Sequence, residues 1–515
     1  MRQITLRVLS ICICFVVSAC SEQPYDYLIR GGLVVDGTGS AGRIADVGIV
    51  GDKIVFVGDA GNHVSQHIID ASGMVVSPGF IDPHTHAYGE RPDEGVDYLR
   101  SYITQGTTTV FSGNDGGGPV DSEKAYQRMT EAGLGANFGL FVGHGQVRRA
   151  VVGLDNRKAT SEELEQMKEL VEKAMKAGAL GLSSGLFYAP GSFADTQEVI
   201  ELAKIAVKYG GVYESHLRDE SNYSIGVVGA VREAIEIGRE ARIPVHIAHI
   251  KALGVDVWGQ SEEIIEIIEA AHAEGIRVTA DQYPWLASGT RVSNALIPRA
   301  AMAGGVDALH ARLRDENGLS ELKQAMAENL RRRGGAESIL LTSGSDEWRG
   351  LNLGQYAAKL DKAPIDTAVE IVLAGDAKIA SFNMNENDVQ NFMRQKWVMT
   401  SSDGGDGHPR KFASFPQKYR QYVVDHKTLS LEEFIYRSSA LTAETFGIKD
   451  RGVLREGMKA DVLIFDTATY GPVATYEKPD QISKGVVYLW INGQMVIEKT
   501  VVQPSMPGQV IKLVQ

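Results

Sequence analysis

The sequence predicts an α/β fold: a (β/α)8 barrel of the TIM type with a small β-sandwich domain formed by both chain termini. Three observations predict it. From about 76 to 449, strand-like apolar runs alternate with helix-like stretches and end on polar residues at His84, Asp115, His144, Ser183, His216, His249, Asp281 and Asp403, the repeat of such a barrel. The two ends, 26–75 and 450–515, instead read as short strands split by glycine turns, for example Val47-Gly48-Ile49-Val50 and Asp461-Val462-Leu463-Ile464-Phe465. Glycine, at 56 of 515 residues, exceeds the usual ~7% and suits many tight strand-to-loop turns.

The first 19 residues read as an address. Arg2 and Arg7 precede an apolar run, Val8 to Val17, and Val17-Ser18-Ala19-Cys20 closes it. That is the n-region, h-region and small-residue junction of a secretory signal, and the run is shorter than the ~20 residues that span a bilayer. The junction cysteine makes it resemble a bacterial lipoprotein signal, with cleavage before Cys20 and lipid on its sulfur; an ordinary signal peptide with a cysteine at its junction is the alternative. The resemblance implies a chain held on the periplasmic side by its N-terminal lipid, with Ser21 favouring the outer membrane over the inner. Cleavage would also remove Cys12 and Cys14, leaving no internal disulfide to form.

Composition narrows the function. A hydrophobic content of 43% against 23% charged residues supports a packed core over disorder. A net charge of −13 argues against nucleic acid as a partner, because phosphate binding wants a basic face. Oligomeric state is not encoded in any motif here.

Within the middle segment, helices are predicted at 161–177, 195–209, 223–241 and 261–273 from their apolar spacing, with caps at Ser161, Asp195 and Ser261. The stretch from Asp281 to Asp403 is too long for one crossover and predicts an insertion at about 286–360 beside the mouth of the site. Near the C-terminus, Asn492-Gly493 predicts a hairpin turn. Two motifs mislead. Gly37-Thr38-Gly39-Ser40-Ala41-Gly42 fits the dinucleotide pattern, but strand-like text follows where a helix is required, so it reads as a turn. Gly181-Leu182-Ser183-Ser184-Gly185 fits the nucleophile elbow, but a loop follows, so it reads as a strand end.

The chemistry concentrates on histidines. In Asp82-Pro83-His84-Thr85-His86, two imidazoles two residues apart face one side of a strand and can reach one ion. His216 and His249 each close another apolar run, and Asp403 closes a third. Imidazoles and carboxylates converging from several strand ends suit Zn²⁺ or a similar ion. His246 is three residues before His249 and reads as packing. His63 and His67 belong to the small β-domain, and His272, His310 and His426 lack a partner pattern. His144 reads equally as a substrate contact or a structural group. Lys251 and Arg410 are candidate cations for a substrate carboxylate, Arg for its bidentate fork, and Arg218 is a candidate to orient Asp219-Glu220.

At these residues the chain resembles the amidohydrolase superfamily, and within it the N-acyl-D-amino-acid deacylases (D-aminoacylases). The similar stretches are Gly181–Gly191, His216-Leu217-Arg218-Asp219-Glu220, Ala248-His249-Ile250-Lys251, Asp281-Gln282-Tyr283-Pro284 and Ser401–Gly404 through His408-Pro409-Arg410. The resemblance implies that His216 and His249 hold the tighter metal, that His84 and His86 face a second site, that Asp403 is the catalytic acid/base, and that Lys251, Tyr283 and Arg410 contact substrate. One departure stands out: Asp115, in Ser112-Gly113-Asn114-Asp115-Gly116, occupies the place of a metal-binding cysteine. A carboxylate can also ligate or bridge zinc. The implied activity is hydrolysis of a linear amide in an N-acyl-D-amino acid or related D-configured amide, a small-molecule substrate, through water activated by metal and deprotonated by Asp403. The alternatives are a cyclic-amide hydrolase of dihydroorotase or hydantoinase type and a non-catalytic lipoprotein that binds small molecules.

Overall fold

The computed structural model describes residues 24–89 and 99–513. The signal and lipidation readings, residues 1–19 and Cys20, lie outside the described residues. Among the described residues, no helix is long and apolar enough to cross a membrane.

The fold is α/β. Phe80–Thr85, Thr107–Ser112 and Asn137–Leu140 pair in parallel. A second ladder continues in chain order through Val142–Gly143, Gly181–Gly185, Val212–His216, Val245–Ile247, Val278–Gln282 and Val398–Thr400, again parallel. The ladders meet at Phe141, whose amide donates to Ser112 O at 3.0 Å, while Leu180 N donates to Leu140 O at 2.8 Å. At the other end Thr85 bridges Gly404 in parallel, and the buried Asp82 Oδ1 accepts from His84 N at 3.2 Å and Ser402 N at 3.1 Å. The last strand therefore lies beside the first.

These strands are buried along almost their whole length, so they read as continuous apolar or small-residue runs rather than alternating ones. The helices between them carry apolar stripes that pack on the strands, through Met167, Val171, Val199, Leu202, Val231, Ile235, Ile264 and Ile268. Ser161–Lys176 is capped by Thr160 rather than Ser161: Glu163 stands three residues after Thr160, and the pair form a reciprocal capping box. Asp195 caps Thr196–Ala206 as predicted. The helix expected from 223 starts at Gly226, because the Asp219 carboxylate gathers the amides of Ser221, Ser224 and Gly226 into a loop. Ser261–Ala273 takes its cap from a distance: the Asp388 carboxylate accepts from Gly259 N at 2.8 Å and Ser261 N at 3.3 Å.

Both chain ends enter one nine-stranded sheet containing Tyr25–Val34, Arg43–Val50, Val75–Pro78, Val462–Phe465 and Val486–Ile491. Asn492 and Gly493 have φ of 49° and 78°, the paired left-handed residues of a tight hairpin turn. The final strand departs from the reading of 450–515 as one β-domain. Val510–Ile511 pairs in parallel with Asn137–Leu140 instead, held there by Asn492 Nδ2, which donates to Asn137 Oδ1 at 2.7 Å and Pro507 O at 2.8 Å.

The insertion is longer than 286–360. Its antiparallel sheet places Lys378–Phe382 between Ala287–Arg291 and Ile339–Leu341, so the segment is complete only at Phe382. It has its own core, including Leu296, Leu313, Met326, Ile339 and Val372.

Candidate metal and hydrolytic site

His84, His86, His216, His249, Asp115 and Asp403 come from five different strand ends and meet at one place. Ligand atoms of His84, His86, Asp115 and Asp403 lie within 4.8 Å of one another, and so do those of Asp115, His216 and His249. Asp115 belongs to both sets. His84 Nε2 is 3.5 Å from Asp115 Oδ1 and 3.6 Å from Asp403 Oδ1. His249 Nε2 is 3.4 Å from Asp115 Oδ1, and His216 Nδ1 is 3.7 Å from it. Ligands ~2.1 Å from a tetrahedral zinc stand about 3.4 Å apart, so the spacings match a metal-sized gap. His84 Nδ1 and Nε2, His216 Nε2 and Asp115 Oδ1 are buried without a hydrogen-bond partner, a state that is costly unless something else satisfies them. The residues present fit a divalent ion.

The local backbone is bent to present these groups. Asp115, His249 and Asp403 have φ of 56°, 33° and 47°, a region that non-glycine residues occupy at a cost and that clusters at functional sites. Gly113 and Gly116, also at positive φ, flank Asp115; a Cβ would meet Phe141 O at 2.8 Å and Gly185 N at 2.9 Å respectively. Only glycine lets this loop lie on the neighbouring strands.

Three carboxylates that sequence reasoning left without a role support the imidazoles. Asp281 Oδ2 lies 2.9 Å from His246 Nε2 and 3.6 Å from His84 Nδ1; His246 thus lies outside the metal cluster but links to it. Glu220 Oε1 is 3.1 Å from His249 Nδ1 and accepts from Lys251 Nζ at 2.5 Å. Glu214 accepts from Asp115 N and Asn114 Nδ2, each at 3.3 Å, and burial, then the Asp115 charge, push its pKa up to about 8. Carboxylates behind metal-binding histidines fix ring orientation. Glu220 was visible in sequence only as part of His216–Glu220, where nothing distinguishes it from a surface acid.

Asp403 is held between two kinds of partner. Its Oδ1 is 3.0 Å from His86 Nε2, and its Oδ2 is 2.8 Å from Arg410 Nη1. Burial would raise its pKa, but Arg410, then His249, outweigh that and hold it well below the usual carboxylate range. Arg410 also stacks over Tyr283, its guanidinium 4.7 Å from the ring centre. Lys251, Tyr283 and Arg410 all line a cavity of about 470 Å³ that opens over the cluster.

His144 does not meet the substrate-contact reading. It begins the helix His144–Val151, is fully buried, and its Nε2 lies 2.8 Å from Glu198 Oε1, while Arg148 holds Glu198 Oε2. It is absent from the cavity lining: a strand-end position does not fix where a side chain points. Arg218 likewise turns to Glu233 at 2.8 Å rather than to Asp219-Glu220. Ser183 is buried in a regular strand, its Oγ donating to Gly113 O at 2.5 Å and accepting from Gly116 N at 3.2 Å, which leaves it no nucleophilic geometry.

An α/β fold with imidazoles and carboxylates gathered at parallel strand ends is the architecture of a metal-dependent hydrolase. Residues 75–496 match the amidohydrolase family, and the chain belongs to that family. Within it, a D-aminoacylase from Alcaligenes xylosoxydans xylosoxydans is 32% identical over 96% of this chain and 99% of its own. An N-acyl-D-aspartate deacylase from the same organism is 30% identical over 94% of this chain and 95% of its own. In three dimensions, N-acyl-D-glutamate deacylase from Bordetella bronchiseptica, solved with zinc and a phosphonate mimic of the tetrahedral intermediate, superposes with a TM-score of 0.82 at 30% identity, over 95% of this chain and 100% of that one.

Proposed function

We propose that this protein is a zinc-dependent hydrolase that splits the amide bond of an N-acyl-D-amino acid or a related D-configured amide, releasing a carboxylic acid and an amine. The observation that carries the reading is the position of Asp403, an ionised carboxylate against His84 and His86 and inside the cavity. His216, His249 and Asp115 would hold one ion, and His84, His86 and Asp115 a second. Zinc, when bound, supplies Lewis acidity toward water and the acyl carbonyl. Asp403 Oδ1 accepts the proton of the attacking water. As the C–N bond breaks, the same carboxyl returns that proton to the departing nitrogen, a base-then-acid role. Arg410 keeps Asp403 charged and fixes its orientation. Lys251, Tyr283 and Arg410 would hold the substrate's carboxylate, offering three donors around one anion.

Parallel strands at eight positions, counting 137–143 as one strand interrupted at Phe141 and with the last bridged to the first, support a (β/α)8 barrel over 76–449, and the nine-stranded sheet supports a separate β-domain of sandwich type built from both chain ends, with Val510–Ile511 outside it. The pattern of residues 1–20 supports lipid attachment at Cys20 and a periplasmic, outer-membrane location. Labelling with palmitate in a bacterial host, expected for the wild type and lost in Cys20→Ala, tests that placement.

The functional test is hydrolysis of D- and L-configured N-acyl amino acids and of dihydroorotate, each with and without chelator. Turnover confined to D-amides and abolished by chelation is the expected result. Turnover of dihydroorotate alone would assign the site to cyclic amides, and no turnover by zinc-loaded protein would remove the catalytic reading.

A further inference from the structure

The cavity holds a buried cation that the hydrolytic chemistry does not use. Arg333, contributed by the insertion, is 2% exposed and lines the cavity. Its Nε donates to Ala295 O at 3.3 Å, and Nη1 donates to Asn383 Oδ1 at 3.2 Å in the amide orientation that satisfies both ends of Asn383. Both partners are neutral, and no carboxylate of the described residues stands within ion-pair distance of it. Arg410 and Lys251, the buried cations nearer the metal cluster, each hold a carboxylate, Asp403 and Glu220. A buried charge without a counter-charge is unfavourable in isolation, and the cost is recovered when an anion arrives.

Two neighbours point the same way. Arg299 stacks over Phe187, its guanidinium 4.3 Å from the ring centre, and its Nη1 is buried without a partner. Burial lowers the Arg299 pKa to about 10, and the like charge of Arg333 adds to the effect. The Tyr223 hydroxyl is also buried and unpartnered, and the Tyr223 ring lies under Arg333 at 5.9 Å. Tyr223 touches Phe187, at 5.6 Å between ring centres, and Phe187 touches His216 at 5.8 Å. The cationic cluster is therefore two aromatic rings from a candidate metal ligand, at the distance of a substrate's outer part rather than of its scissile bond.

We propose that Arg333 and the Tyr223 hydroxyl, with Arg299 adding positive charge from behind Phe187, form a second anion subsite that selects substrates bearing a carboxylate in addition to the one next to the scissile amide. The proposal rests on the deacylase reading and refines it. The extra carboxylate has two sources: the side chain of an acidic D-amino acid, or the far end of a dicarboxylic acyl group.

The test compares N-acetyl-D-glutamate, N-acetyl-D-aspartate, N-succinyl-D-leucine and N-acetyl-D-leucine on the zinc-loaded full chain. At least one of the first three should exceed N-acetyl-D-leucine in kcat/KM by about tenfold or more; which of them does so identifies the source. In Arg333→Met that ratio should fall by about tenfold, chiefly through KM, with Arg333→Lys retaining part of it. A preference for N-acetyl-D-leucine, or an unchanged ratio in Arg333→Met, overturns the proposal. A binding arm is independent of turnover: calorimetry of D-glutamate and D-leucine with zinc-loaded wild type and variants. Tighter binding of D-glutamate, lost in Arg333→Met, supports the subsite even if no amide is hydrolysed, an outcome that would remove the deacylase reading alone. Equal binding of the two overturns it. Arg299→Met, expected to weaken the same preference, serves should Arg333→Met fail to fold.

Discussion

Asp403 and Arg410 stand 2.8 Å apart, carboxylate to guanidinium, both buried at the floor of the cavity. Seven residues separate them in the chain, and the turn between lets Arg410 begin a helix, Arg410–Lys418, while Asp403 faces the metal cluster. Asp403 must be ionised to accept a proton. Arg410 is the largest attraction holding its pKa down against burial. In Arg410→Met that attraction is lost and the pKa rises, so the acidic limb of the kcat/KM profile should move to higher pH. The pH-independent kcat/KM should fall by roughly 10²-fold as well. A profile whose acidic limb stays in place would separate Arg410 from the ionisation of Asp403.

Asp115 is shared by both donor groups. Asp115→Ala should therefore reduce metal bound per chain, measured by elemental analysis after dialysis. Asp115→Cys should retain more than the alanine variant, because a thiolate is also a zinc ligand. Unchanged metal content in Asp115→Ala would take this residue out of the ligand set.

Exhaustive chelation should abolish hydrolysis and added zinc should restore it. Ser183→Ala should keep activity, since the hydroxyl joins only backbone groups, Gly113 O, Val142 O and Gly116 N, with a stability loss of about 1–2 kcal/mol. Asp403→Ala should be inactive with metal still bound. Loss of activity in Ser183→Ala at normal stability would reopen the serine mechanism.

Arg451 and Asp461 form a buried ion pair. Asp461 also accepts from Asn492 N at 2.7 Å and Asn137 Nδ2 at 3.2 Å, which ties the hairpin turn to the strand Asn137–Leu140. Arg451→Met leaves that carboxylate buried without its cation and should destabilise the fold by about 3–5 kcal/mol, read as a lower denaturant midpoint. A change below ~1 kcal/mol would show that the pair contributes little net stability.

Much of the candidate site was legible because it follows from local periodicity. His84 and His86 are two apart in a strand and share a face. His216, His249 and Asp403 close apolar runs, so strand direction sends them to the same end. Asp115 followed from the family resemblance, as the carboxylate in the place of a metal-binding cysteine. Other residues resisted reading because their roles are set by partners far away in the chain. Glu220 and Asp281 look like any acid until His249 and His84 arrive beside them. His144 sits at a strand end yet turns to Glu198. The cap of Ser261 comes from Asp388, and the Lys378–Phe382 strand joins the insertion only through pairing with Ala287–Arg291.

What the sequence by itself determined is the alternation of strand and helix, most of the helix starts, the Asn492-Gly493 turn and the donor chemistry of six side chains. These depend on propensity and spacing within a few residues, which any window of the chain contains. What only the tertiary structure decided is that Asp115 serves two histidine sets, that Arg410 and Lys251 are already paired, and that Arg333 is buried without a counter-charge. Those outcomes depend on the register of strands, the turns at their ends and the packing of the insertion. Coulomb energies and desolvation act on distances in space, and sequence separation does not report them.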